Sequence, residues 1–205
     1  LEDNPLFNAG TGSTLNSLGK VEMDAGIMEG ESLRAGAVAA VSGIKNPIML
    51  ARRIMEDGRH VMLAGEGALI FAREIGFPEV PAESLISALA KERWANAHGT
   101  VGCVAFDANG KLAVATSTGG IFKKLPGRVG DSGLLGCGTY ANKYGAVSCT
   151  GHGEAIMRTV MAHDAVQFLQ DGAEPHEAAR KAIQNLEQLT GSTGGLILID
   201  PCGRV

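Results

Sequence analysis

Gly99-Thr100-Val101-Gly102-Cys103-Val104-Ala105-Phe106 leads through Asp107-Ala108-Asn109-Gly110 into Leu112-Ala113-Val114-Ala115-Thr116-Ser117. Two apolar runs joined by a turn that contains Asn-Gly predict a β-hairpin. Upstream, residues 21–28 and 35–42 read as a second strand pair, joined by Glu29-Gly30-Glu31. Asn46-Pro47 then opens a helix that carries Ile48, Leu50, Ala51, Ile54 and Met55 and stops at Asp57-Gly58. A short strand at 61–64 and helices at 67–75 and 84–97 follow, the last with the only tryptophan, Trp94. Downstream, a glycine-rich loop from 119 to 138 carries Lys123, Lys124, Arg128 and Asp131. Residues 146–149 read as a strand, 154–171 and 175–189 as amphipathic helices, and 195–199 as a final strand. This order predicts an α+β fold of hairpins and helix pairs rather than βαβ alternation.

The composition agrees. Over 205 residues, 45% are hydrophobic and 20% charged, and the mean hydropathy is +0.09. That supports a large core in one domain or two small packed ones, and excludes disorder of the whole chain. With 18 basic and 22 acidic residues, net charge −4 and a pI near 5.7, no basic field exists for nucleic acid or anionic lipid. The apolar stretch 35–44 is about half of the roughly 20 residues a membrane span needs. Twenty-nine glycines point to tight turns and close backbone approaches. Cys103, Cys137, Cys149 and Cys202 form no C-x-x-C pair and read as reduced, buried thiols of a cytoplasmic protein. The opening residues lack the basic and apolar regions of a secretory signal. Asp200-Pro201-Cys202-Gly203 reads as a turn from which Arg204-Val205 should begin a return strand, so the chain reads as cut at both ends.

A threonine after a glycine at the start of a strand is, alone, an ordinary strand residue. Thr100 is followed, however, by Thr118-Gly119-Gly120, then Leu125-Pro126-Gly127-Arg128-Val129-Gly130-Asp131-Ser132, then Ser148-Cys149-Thr150-Gly151-His152-Gly153-Glu154. Together with Leu1-Glu2-Asp3-Asn4-Pro5-Leu6-Phe7-Asn8-Ala9-Gly10, Val21-Glu22-Met23-Asp24-Ala25 and Gly43-Ile44-Lys45-Asn46-Pro47, this resembles the plant-type L-asparaginase / isoaspartyl-peptidase family of N-terminal-nucleophile hydrolases, over nearly the whole chain.

The resemblance implies a four-layer αββα sandwich forming one structural domain, with 1–99 as an α-subunit region and 100–205 as a β-subunit region. It implies self-cleavage between Gly99 and Thr100. A freed Thr100 holds nucleophile and base in one residue, because an α-amine of pKa about 7.7–8.0 can take the hydroxyl proton. The family pattern assigns Thr118 to the nucleophile's hydrogen bond, places Asn8 close by, and makes Thr150 and Gly151 the oxyanion hole. Arg128 would bind the substrate α-carboxylate with two parallel bonds. Asp131 would face the α-ammonium with the Gly153 carbonyl, and Val129, Gly130 and His152 line the same site. The expected reaction is hydrolysis of L-asparagine or of β-aspartyl dipeptides through a Thr100 ester, without an organic cofactor. Residues 1–11 resemble a sodium-binding loop, with main-chain oxygens of Leu1, Glu2, Asn4, Phe7, Ala9 and Thr11 around the ion. A homodimer of cleaved αβ units is also implied.

Rival readings are weaker. Gly130-Asp131-Ser132-Gly133 matches a chymotrypsin-like string, but no histidine has a matching context and the helical content is wrong. His176-Glu177 is followed by Arg180 rather than a second histidine, which removes zinc-protease chemistry. No G-x-G-x-x-G follows a strand. An uncut, non-catalytic precursor or fragment of the same fold fits the continuous sequence through Gly99-Thr100 as well.

Overall fold

Helix α1 (Pro47–Asp57) follows its sequence signals closely. Pro47 presets the first turn, Leu50, Ala51, Ile54 and Met55 recur at helical spacing and are buried, and Gly58 ends the helix at φ 75°. The computed structural model describes residues 1–92 and 99–205 and is mixed α and β. Strands β1 (Met23–Glu29) and β2 (Ala35–Val41) precede α1; β3 (Met62–Ala64), α2 (Gly65–Glu74) and α3 (Ala88–Glu92) follow it. The later elements are β4 (Val101–Phe106), β5 (Leu112–Thr118), β6 (Thr139–Asn142), β7 (Gly145–Gly151), α4 (Gly153–Thr159), α5 (Met161–Gln170), α6 (Pro175–Thr190) and β8 (Gly194–Ile199). One sheet has the order β3-β2-β1-β5-β4 and the other β6-β7-β8.

The chain divides into two compact units. The first comprises Leu1–Ala25, Gly36–Val101 and Ser117–Val129; the second Gly26–Ala35, Gly102–Thr116 and Gly130–Val205. In the first, β2 and β3 pair in parallel from Ala37↔Met62 to Ala39↔Ala64. Parallel neighbours need a crossover, and α1 supplies it. The chain thus contains one βαβ unit that the hairpin reading did not foresee. A methyl group on Gly36 would overlap the Ala51 carbonyl, so α1 lies directly on β2.

The second unit is layered by the two-residue alternation of its strands. On one face of β6 and β7, Ala141 and Ala146 pack with Met28, Leu112 and Val114 of the other sheet's strands. On the opposite face, Val147 and Cys149 pack with Ile156, Met161, Ala165, Val166, Ala182 and Leu186 of α4, α5 and α6, and Leu198 joins them from β8.

Several expectations are corrected. Strand β6 lies in a stretch given no element, and pairs antiparallel with β7 from Thr139↔Ser148 to Asn142↔Gly145. Two of the cysteines expected to be buried are exposed: Cys103 on β4, the end strand of its sheet, and Cys202 in the turn after β8. All four thiols are free, with Cys149 buried and Cys137 intermediate. In the 107–111 connection only Gly110 is left-handed, at φ 79°, and Asp107 Oδ1 accepts the N–H groups of Asn109 and Lys111 at 2.8 and 2.9 Å. The helix expected over 84–97 is a 3-10 turn at Ala82–Leu85 followed by α3; the rest of it, with Trp94, lies outside the described residues. No helix among the described residues is long and apolar enough to cross a membrane.

The single helix expected over 154–171 is broken at Val160, which sits at φ 50°, ψ 45°. Beyond the break, Ala162 and His163 donate their N–H groups to the carbonyls of Cys137 and Gly136, each at 2.9 Å, instead of to the preceding turn. A β-branched residue is poorly suited to this left-handed conformation, which costs roughly 1–2 kcal/mol outside glycine and asparagine. Val160 is 42% exposed and gives up little packing on replacement. Val160→Asn is therefore expected to stabilise the protein by about 1 kcal/mol, read as a melting temperature about 2–4 °C higher. An unchanged or lower midpoint would contradict it.

Candidate active site

Two distant segments of the first unit, around Asn8 and Thr118, meet at the Gly99 carbonyl. Asn8 Nδ2 donates to Gly99 O at 2.8 Å and to Gly120 O at 2.7 Å. Its Oδ1 accepts the Thr14 N–H at 2.8 Å, and its main-chain oxygen accepts the Gly119 N–H at 2.9 Å. Thr118, the last residue of β5, donates its hydroxyl to the same Gly99 oxygen at 3.1 Å and accepts the Gly120 N–H at 3.0 Å. Gly99 is exposed and Thr100 half-buried. The two glycines after Thr118 make this approach possible. A methyl on Gly119 would come within 2.5 Å of Asn8 Oδ1, and Gly120 has φ +80° with no room for a side chain beside Lys124.

Beneath this cluster, the Ser117 hydroxyl donates to Glu2 Oε1. The same oxygen accepts the Ile48 N–H of α1 at 3.1 Å. Glu2 is 5% exposed, and burial raises its carboxyl pKa above the ordinary range against the lowering effect of these bonds. One carboxyl thus ties the opening loop, α1 and β5 together. Chemically, two donors on one carbonyl oxygen polarise it and can stabilise negative charge on it, and the Thr100 hydroxyl belongs to the next residue.

Arg128 and Val129 close the first unit, with Arg128 half-buried. The remaining expected residues belong to the second. Asp131 is buried in the 3-10 turn Asp131–Gly133. Its main-chain oxygen accepts the Leu134 and Gly138 N–H groups at 3.0 Å, and its carboxylate lies against Gly138, where a methyl would overlap it. Thr150 and Gly151 end β7, exposed and paired with Gly195 and Gly194 of β8. Gly151 has φ +141°, and a methyl there would come within 2.7 Å of Gly194 Cα. His152 precedes α4 and Gly153 is its first residue. Sequence reading assigned no role to the Glu2 side chain, Glu22, Ser117 or Lys124; buried polar contacts between distant segments have no local signature.

The opening loop is stitched by its own main chain. Asn4 N–H donates to Leu1 O, Phe7 N–H to Asn4 O, Thr11 N–H to Glu2 O and Gly12 N–H to Ala9 O, at 2.9–3.2 Å. A methyl on Gly12 would overlap Phe7 O, and one on Gly10 would overlap Glu2 O, so main-chain oxygens crowd these two positions. Each carbonyl that accepts one N–H keeps a second lone pair. Uncharged main-chain oxygens are the donor type that a hard cation takes. Among the described residues, no group of three His, Cys, Asp or Glu side chains could hold a metal ion.

A family described as Asparaginase matches residues 1–98 and 95–205. The chain is 48% identical over 218 residues to the isoaspartyl peptidase/L-asparaginase of Danio rerio, covering 99% of this chain and 70% of that protein. Against the Homo sapiens protein of the same name it is 46% identical over 218 residues, covering 99% and 71%. Against the plant-type L-asparaginase of Pyrococcus horikoshii it is 44% identical over 229 residues, covering 100% and 75%. With both halves matched and identity of this order sustained over nearly its full length, the chain belongs to the asparaginase family of amide hydrolases.

Proposed function

We propose that the chain cuts itself between Gly99 and Thr100 and that the freed Thr100 hydrolyses L-asparagine and β-aspartyl dipeptides. The observation that carries this reading is the doubly hydrogen-bonded Gly99 carbonyl, with Asn8 Nδ2 at 2.8 Å and Thr118 Oγ1 at 3.1 Å. Attack by the Thr100 hydroxyl on that carbon develops negative charge on the oxygen these donors hold. Collapse breaks the Gly99–Thr100 C–N bond, the nitrogen takes a proton, and the Gly99 acyl group is left as an ester on Thr100. Water hydrolyses the ester, giving a Gly99 carboxylate and a free Thr100 with its amine and hydroxyl.

The second reaction repeats the chemistry on a substrate amide. The Thr100 α-amine takes the hydroxyl proton, Thr118 turns from Gly99 to the nucleophile, and Thr150 with the Gly151 N–H receives the new oxyanion. Ammonia or the dipeptide's second residue leaves with the proton, and water releases aspartate from the Thr100 ester. Arg128 takes the α-carboxylate and Asp131 the α-ammonium, with the Gly153 carbonyl beside it; Val129, Gly130 and His152 complete the wall. A sodium ion held by main-chain oxygens of residues 1–11 would supply charge that stiffens the loop bearing Asn8. The names of the relatives support this substrate class. The same reading takes the fold as a four-layer αββα sandwich and the enzyme as a cytoplasmic homodimer of cleaved units.

Arg128→Ala tests the substrate assignment. Loss of a charge-paired guanidinium costs about 2 kcal/mol or more, roughly 30-fold. The variant is expected to cleave at the parent rate yet show a KM for L-asparagine raised about 30-fold, measured by ammonia release. An unchanged KM would contradict the assignment.

A further inference from the structure

The loop that ends in Arg128 has little regular structure, but two side chains hold it, Lys124 buried and Glu22 half-buried. Lys124 is 3% exposed, and its Nζ donates to the main-chain oxygen of Glu22 at 2.7 Å. The Glu22 carboxylate in turn accepts the Gly127 N–H, with its two oxygens 3.1 and 3.3 Å from the nitrogen. Gly127 is the residue before Arg128. Main-chain bonds complete the attachment: Ser17 N–H donates to Lys124 O at 2.9 Å and Lys123 N–H to Leu15 O at 3.1 Å. A buried ammonium is costly, and an apolar side chain would fill this space at lower cost if order alone were needed. Burial lowers the Lys124 pKa, as does the nearby Arg128 guanidinium, while the Asp24 and Glu22 carboxylates oppose that shift. Lys124 and Arg128 also converge. A methyl built on Gly120 would lie 2.9 Å from Lys124 Nζ and 3.4 Å from Arg128 Nη1.

We propose that Glu22 and Lys124 are positioning residues that fix Arg128 for the substrate α-carboxylate: Glu22 by anchoring the Gly127 N–H, Lys124 by anchoring the loop to Glu22 and flanking the guanidinium across Gly120. The inference rests on the reading that Arg128 receives that carboxylate. Neither residue touches substrate. Both act through the guanidinium's position, so they govern affinity for an amino-acid head group and leave the chemistry at Thr100 alone.

The test compares Glu22→Ala, Glu22→Gln, Lys124→Met and Arg128→Ala in the full chain, reading the extent of cleavage at Gly99-Thr100 and then kcat and KM for L-asparagine. Loss of one such anchoring bond is expected to raise KM about five- to tenfold in Glu22→Ala and Lys124→Met, with kcat and cleavage within about twofold of the parent. Glu22→Gln keeps an acceptor oxygen for Gly127 and is expected to stay within about twofold in KM. If Lys124→Met fails to fold, the two Glu22 variants decide. Unchanged KM in Glu22→Ala while Arg128→Ala raises it overturns the positioning role and leaves the Arg128 reading standing. Cleavage, kcat and KM failing together in Glu22→Ala overturns it as well, because that is the mark of a general structural role. No effect of Arg128→Ala on KM overturns the reading beneath it.

Discussion

Thr100→Ala is expected to remain a single 21.2 kDa chain and to release no ammonia from L-asparagine. In the proposed mechanism one hydroxyl serves both reactions: it would attack the Gly99 carbonyl in the uncut chain and the substrate amide in the cut one. Removing the nucleophile of a cooperating catalytic set costs about 10⁶ in turnover, which is below detection here. The substitution is small and Thr100 is half-buried, so the fold should survive, as a circular dichroism spectrum matching the parent's would show. Cleavage at Gly99-Thr100 in this variant, or ammonia release at even a hundredth of the parent rate, would remove Thr100 from the mechanism.

The second large effect lies in the two donors on Gly99. Removing one preorganised donor to a developing oxyanion costs about 10²–10³ in rate. Thr118→Val, nearly the same shape without the hydroxyl, is expected to slow self-cleavage by that factor. Asn8→Leu is expected to do at least as much, because it also leaves the Gly120 carbonyl and the Thr14 N–H without their partners. Both rates are read from the decay of the uncut chain on denaturing gels. Cleavage of Thr118→Val at the parent rate would mean that its 3.1 Å bond to Gly99 O does not act in the cut.

Much of the fold can be read from local pattern. Helix α1 announces itself by Pro47, the spacing of Leu50, Ile54 and Met55, and Gly58, and β4, β5 and β8 by apolar runs between turns. What local pattern misses depends on distant partners. Thr139–Asn142 is a strand because β7 pairs with it, and four residues are too few to show a period. The helix break at Val160 follows from loop carbonyls at Gly136 and Cys137 that take the next helix's first N–H groups. The site divides in the same way. Thr100, Thr118 and Arg128 stand in recognisable strings, and Asn8 is expected near the nucleophile. Its two bonds, however, span 91 and 112 residues of sequence, and no local pattern identifies which oxygens it reaches. Lys124, in a glycine-rich loop, has the look of a solvated charge; its burial depends on a main-chain oxygen 102 residues away.

The most direct test of the central claim is intact mass under denaturing conditions, followed over days at about pH 7.5 with ammonia release from L-asparagine assayed on the same samples. Two fragments separating between Gly99 and Thr100, with activity rising in step, are the predicted result. A persistent single species of 21.2 kDa without ammonia release would contradict it.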